Sequence, residues 1–164
     1  MTFSLPDDGA IPNSRLPLLI YRSVVDLTGS DPAAIFEQLF GANEWSGAWR
    51  DGIYSYHHYH STAHEVLGVY RGWVKVQFGG ENGIEQRIQS GDVVVIPAGV
   101  AHKNLSSASD LRVVGAYPKG QDWDLCYGKA GERPKADENI ARVALPKLDP
   151  AYGPNGPLFS HWRP

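Results

Sequence analysis

Between residues 52 and 117 the sequence is written as short β-forming runs separated by glycine-bearing turns, and this spacing constrains the fold more than any other feature. The runs cover residues 52–59, 65–71, 73–78, 84–88, 93–96, 101–105 and 111–117. In 73–78 Val74, Val76 and Phe78 share one face while Lys75 and Gln77 take the other, the period of a half-buried strand. Gly79-Gly80 and Asn82-Gly83 mark a hairpin turn after it. One helix precedes the strands: Asp31 is its N-cap, Pro32 its first residue, Ile35, Phe36, Leu39 and Phe40 its apolar face, and Gly41 its end. Regular strands behind a single helix predict an all-β sandwich or barrel rather than an alternating α/β sheet.

Four of the six histidines fall within residues 57–64. His58 and His60 sit two apart, so in a strand both side chains leave one face, and a turn over 61–64 folds Glu65 back toward them. Two imidazoles and a carboxylate converging in this way predict a metal site. By alternation His57 points to the other face. His64 lies in the turn and is an alternative to Glu65 as ligand, and His161 reads as a surface or packing residue. Tyr54 and Tyr56 share the face of His58 and His60, Asn104 shares that of His102, and Tyr117 ends a strand on the face of Val113 and Gly115. All four are candidate pocket-lining residues, with barrel-core packing the competing role for the tyrosines.

The spacing G-x5-H-x-H-x4-E-x6-G falls on Gly52, His58, His60, Glu65 and Gly72, and G-x5-P-x-G-x2-H on Gly91, Pro97, Gly99 and His102. In this order the two segments resemble the two motifs of the cupin superfamily, in particular the small single-domain bacterial cupins of RmlC-like jelly-roll type. The likeness covers residues 45–117. The family's closing asparagine is replaced by Ser106, with Asn104 two positions earlier. The resemblance implies a closed double-stranded β-helix barrel, often dimeric, with one divalent transition metal (Mn, Fe, Co, Ni or Zn) held by His58, His60, Glu65 and His102. Donors of this kind suit any of those ions. The motif glycines read as turn residues, and Pro97 fixes the approach to His102.

The resulting expectation is one domain in three parts: an extended arm and helix over 1–44, a barrel core over 45–117, and a Pro/Gly-rich tail over 118–164. The tail carries Trp123, Tyr127, Tyr152, Phe159 and Trp162, enough aromatic surface to pack on the barrel. A formal net charge of -3 offers no footprint for nucleic acid or anionic lipid. The apolar run of residues 16–21 is too short for a signal core or a membrane span. A single cysteine, Cys126, reads as a small buried residue in a cytoplasmic protein. Functionally the residues and the resemblance together predict a metal-binding cupin. It would act as a dioxygenase, isomerase or decarboxylase on a small chelating metabolite, or else hold a small ligand without turnover, with a homodimer as its assembly.

Overall fold

A computed structural model describes residues 1–164. Nine strands and three helices follow in chain order: β1 Thr2–Leu5, β2 Ser14–Tyr21, α1 Pro32–Ala42, β3 Trp45–Asp51, β4 Glu65–Arg71, β5 Trp73–Phe78, β6 Ile84–Gln89, β7 Val93–Ile96, β8 His102–Ser107, β9 Arg112–Pro118, α2 Lys135–Arg142 and α3 Leu158–His161. They form two sheets, a six-stranded one in the order β1-β2-β7-β4-β9-β3 and a three-stranded one in the order β6-β5-β8.

The sheets share one core. Leu67, Val94, Ile96 and Val113 of the large sheet meet Val74, Val76, Phe78 and Ile88 of the small one in a single buried cluster. The outer face of the large sheet is buried as well. Val66, Val93, Val95, Val114 and Ala116 lie beneath Phe36 and Phe40 of α1, and beside Leu158 and Trp162 of the tail. With both faces covered, β7 is an unbroken apolar run, VVVI, and has no need to alternate.

The expected closed β-barrel does not form. Both sheets are open, with β1 and β3 as edges of one and β6 and β8 as edges of the other, and no ladder joins them. The physical cause lies in residues 52–59, read from sequence as a strand. They run irregularly and make only two isolated bridges, His58 with His102 and Tyr59 with Cys126. A stretch without a ladder cannot carry pairing from the β8 edge to the large sheet. Nor is there only one helix, because α2 and α3 arise within the tail.

The extended arm completes the large sheet, and the helix after it covers that sheet. The arm folds back on its own sheet, where β1 pairs antiparallel with β2 and β2 with β7. Helix α1 starts as its sequence predicts, with the Asp31 carboxylate accepting from the Ala34 amide at 3.3 Å. It passes through Gly41, however, and ends at Asn43, followed by Glu44 at φ 61. The left-handed residue that turns the chain into β3 is therefore Glu44 rather than the glycine.

Two tryptophans pin the tail. The Trp162 indole N–H donates to the Pro17 carbonyl at 2.8 Å, and that of Trp45 to the Leu148 carbonyl at 3.0 Å. Between them Asp149, wholly buried, accepts from the Tyr21 hydroxyl at 2.7 Å and from the Leu158 amide at 3.1 Å, so its burial is compensated. No helix is long and apolar enough to cross a membrane.

Candidate metal centre

At one end of the space between the sheets lies a cavity of about 310 Å³ lined by His58, His60, Glu65 and His102 together with Trp49, Tyr54, Tyr117 and Trp123. Glu65 opens β4, and His102 opens β8. His58 and His60 come from the irregular stretch, which is held in place from both sides. The His58 and His102 backbones exchange hydrogen bonds at 3.3 and 3.0 Å, Tyr59 and Cys126 exchange two at 2.9 Å, and the His60 carbonyl accepts from the Gly99 amide at 2.8 Å. Gly99 has no substitute at this approach. At φ 95 it sits where a Cβ would lie 2.1 Å from the Asn13 carbonyl oxygen. Gly52, the first glycine of the motif, adopts no such conformation.

Three donor atoms, one each from His60, Glu65 and His102, lie within 4.8 Å of one another, and all three residues are buried. Glu65 Oε2 stands 3.3 Å from His60 Nε2 and 3.2 Å from His102 Nε2. The opposite nitrogens of the rings fix the tautomers. Nδ1 of His58 faces the Tyr56 carbonyl at 3.1 Å, that of His102 the Val100 carbonyl at 3.4 Å, and that of His60 the Asp124 carbonyl. A carbonyl only accepts, so each Nδ1 carries the proton and each Nε2 lone pair is left for the cavity. Glu65 Oε2, although buried, has no hydrogen-bond partner. Lone pairs converging on an orphaned carboxylate oxygen are what a cation satisfies, so the donor set fits a divalent metal.

The electrostatics favour an anionic Glu65 and a neutral His58, while at His60 a proton competes for the Nε2 lone pair. Burial opposes charge on Glu65, but His60 and His102 outweigh it and hold the carboxyl well below the usual carboxylate range. Burial also opposes charge on His60, and Glu65 beside it prevails and raises that imidazole. His58 is pushed down to about 3 by burial, with His102 adding to the effect, and is therefore neutral at pH 7.

His58 lines the cavity with its ring centroid 4.0 Å from that of His102, but it stands outside the close group of three. Tyr54 and Tyr117 line the cavity too. Tyr56 does not; it is stacked on Tyr54 at 4.9 Å and is 42% exposed. Asn104 lies along β8 beyond the cavity, where its side chain donates to the Ser107 hydroxyl at 3.3 Å. His57 faces away and meets Glu81 at 3.0 Å. His64 has the opposite tautomer, its Nδ1 accepting from the Ala98 amide at 2.9 Å, and its ring packs 4.7 Å from Trp162 on the far side of the sheet from Glu65.

Sequence reasoning missed Trp49, Trp123 and Asp124. Trp49 comes from β3, where Gly115 on the neighbouring strand leaves room for its indole. A Cβ on Gly115 would lie 2.1 Å from that ring. The space lets the indole N–H reach the Tyr117 hydroxyl at 2.8 Å. Trp123 and Asp124 come from the tail. The Asp124 carboxylate accepts from the Ser61 amide at 2.6 Å, the Thr62 amide at 3.2 Å and the Ser61 hydroxyl, and so fixes the turn between His60 and Glu65. No spacing in the sequence ties these residues to the histidines. Cys126 is buried and its thiol is pushed up to about 11, first by burial and then by Asp124, which leaves it inert at neutral pH.

The family pattern described as Cupin matches residues 51–118. The chain is 44% identical over 162 residues to the uncharacterized protein YjlB of Bacillus subtilis, covering 98% of this chain and 95% of that one. Two solved structures superpose in part. A DUF861 family protein from Thermotoga maritima has 22% identity, 60% of this chain and 96% of that one covered, and a TM-score of 0.36. An acireductone dioxygenase from Bacillus anthracis, with a cadmium ion in its active centre, has 12% identity, coverage of 67% and 83%, and a TM-score of 0.45.

Proposed function

The chain belongs to the cupin family, and from that premise we propose that it holds one divalent transition metal ion through His58, His60, Glu65 and His102 and uses it on a small chelating metabolite. A buried His/His/Glu site able to chelate a metal is present, and His58 is the fourth donor of this reading. One observation carries it: the three imidazoles turn protonated Nδ1 atoms to backbone carbonyls and leave their Nε2 lone pairs for a cavity that also holds an orphaned carboxylate oxygen. Mn, Fe, Co, Ni and Zn all suit such donors. The ion would supply Lewis acidity or, if it is redox-active, oxygen chemistry.

What the chain itself contributes is enclosure and orientation. Trp49 holds the Tyr117 hydroxyl, and burial, followed by Glu65, raises that phenol above its ordinary value, so it serves at neutral pH as a hydrogen-bonding group and not as a base. Outside the ligand set the lining carries one carboxylate, Asp51, which accepts from the Gly52 amide at 2.8 Å, and the second reading is a cupin that binds its ligand without converting it. Incubating metal-loaded protein with diketones, hydroxy acids and sugar derivatives, with and without oxygen, separates the two. Turnover supports the enzyme, whereas saturable binding without conversion supports the binder. A homodimer belongs to the same proposal, supported by β1, a sheet edge whose outer side has no strand beside it. Sedimentation of a monomer at working concentration would remove that part alone.

A further inference from the structure

Glu65 and His102 each open a strand and are placed by its ladder, whereas the stretch that carries His58 and His60 belongs to neither sheet. Tyr59 sits between these two histidines without lining the cavity. Its side chain is wholly buried among Ile11, Ala101, Cys126 and Ala136, and its hydroxyl donates to Glu132 Oε2 at 3.0 Å. That carboxylate has two further partners in the tail. Oε2 also accepts from the Gly128 amide at 2.8 Å, and Oε1 accepts from the Tyr127 amide at 2.8 Å.

These contacts close a ring. The two amides on Glu132 directly follow Cys126, whose backbone exchanges two hydrogen bonds at 2.9 Å with the backbone of Tyr59. Tyr59 is thus held at its backbone by Cys126 and at the tip of its side chain by Glu132, and Glu132 also fixes the turn that presents Cys126. Hydrogen bonds to a carboxylate are stronger than neutral ones, so the ring is anchored where its three charge-assisted bonds meet. Helix α2 adds a hold one residue past His60, where the Asn139 side chain donates to the Ser61 hydroxyl at 3.0 Å. None of Cys126, Glu132 and Asn139 belongs to a strand of either sheet.

Resting on the metal-binding reading above, we infer that Glu132 is a positioning residue of the metal centre: through the Tyr59 hydroxyl and the 127–128 amides it sets where the His58 and His60 imidazoles stand relative to Glu65 and His102. A ligand constellation serves only when its outer partners hold it to within about 0.5 Å of its working geometry. For Glu65 and His102 the sheets do this. For His58 and His60, which no ladder holds, Glu132 does it from outside the cavity.

The test loads the full chain with cobalt, whose visible absorption bands report coordination geometry, and reads affinity by competition with a chromophoric chelator. Tyr59→Phe removes only the hydroxyl and leaves the packing. It and Glu132→Ala should each weaken cobalt binding about tenfold and shift the bands. The double variant should bind no more weakly than Glu132→Ala alone, because the hydroxyl acts through the carboxylate. Glu132→Gln, which keeps an acceptor oxygen, should recover part of the loss. Urea unfolding of each metal-free chain is followed in parallel. Tyr59→Phe and Glu132→Ala chains with wild-type cobalt affinity and bands, even if they unfold more readily, would make Glu132 a prop of the fold alone and overturn the proposal while the metal reading stands. A wild-type chain that binds no cobalt would overturn both.

Discussion

His60 donates its Nδ1–H to the backbone carbonyl of Asp124, 64 residues farther along the chain, and the side chain of that same aspartate fixes the Ser61–Thr62 turn that separates His60 from Glu65. The tail therefore holds His60 by its ring and Glu65 by the turn that precedes it.

Asp124→Ala keeps the carbonyl but releases the turn. Metal affinity should drop about 10- to 100-fold, the usual cost of losing an outer partner of a ligand. Asp124→Asn retains an acceptor for the two amides and should lose less. Competition against a chromophoric chelator measures both. Equal affinity in wild type and Asp124→Ala would show that the turn holds without its carboxylate.

His64 gives the apoprotein a pH-dependent stability. Burial lowers it from 6.5 to about 4. Above 6.5 the folded and unfolded chains both hold it neutral, so nothing is lost. As pH falls through the window between 6.5 and 4, the unfolded chain takes up a proton that the folded one refuses, and stability falls by roughly 3 kcal/mol. His64→Asn preserves an acceptor for the Ala98 amide and should flatten this slope in urea unfolding of metal-free protein between pH 7 and pH 4. An unchanged slope would assign the pH dependence to other groups.

Trp162 is 2% exposed, packs on the outer face of the large sheet and ties the tail to Pro17. Trp162→Ala should cost about 3–5 kcal/mol in chemical denaturation. A loss below about 1 kcal/mol would mean that the tail packs without its anchor.

Much of this architecture was legible wherever one residue type had one physical reason. Strands β4, β5 and β7 begin and end where alternation or an unbroken apolar run places them, because both patterns follow from which faces are covered. Residues 52–59 carry the same aromatic and β-forming side chains, but their backbone groups find partners at isolated points on β8 and the tail, and no local pattern records long-range hydrogen bonding. Closure of the barrel failed with them. Helix α2 escaped notice because its apolar face is only Ala136 and Ile140 within eight residues, too short for a periodicity to stand out in a Pro/Gly-rich tail. The cluster of His60, Glu65 and His102 was readable from its spacing. Trp49, Trp123 and Asp124 reach the cavity by tertiary packing alone, and two of the four candidate lining residues, Tyr56 and Asn104, stand outside it.

The central claim is that His58, His60, Glu65 and His102 hold a metal ion, and the metal content of purified protein and of three variants tests it most directly. Elemental analysis should find close to one divalent ion per chain in the wild type and in His57→Ala, whose imidazole faces Glu81 outside the cavity, and almost none in His58→Ala or His102→Ala. A wild-type chain that carries no metal and takes up none from Mn, Fe, Co, Ni or Zn solutions, or a His57→Ala chain that loses the ion while His58→Ala keeps it, would contradict the account.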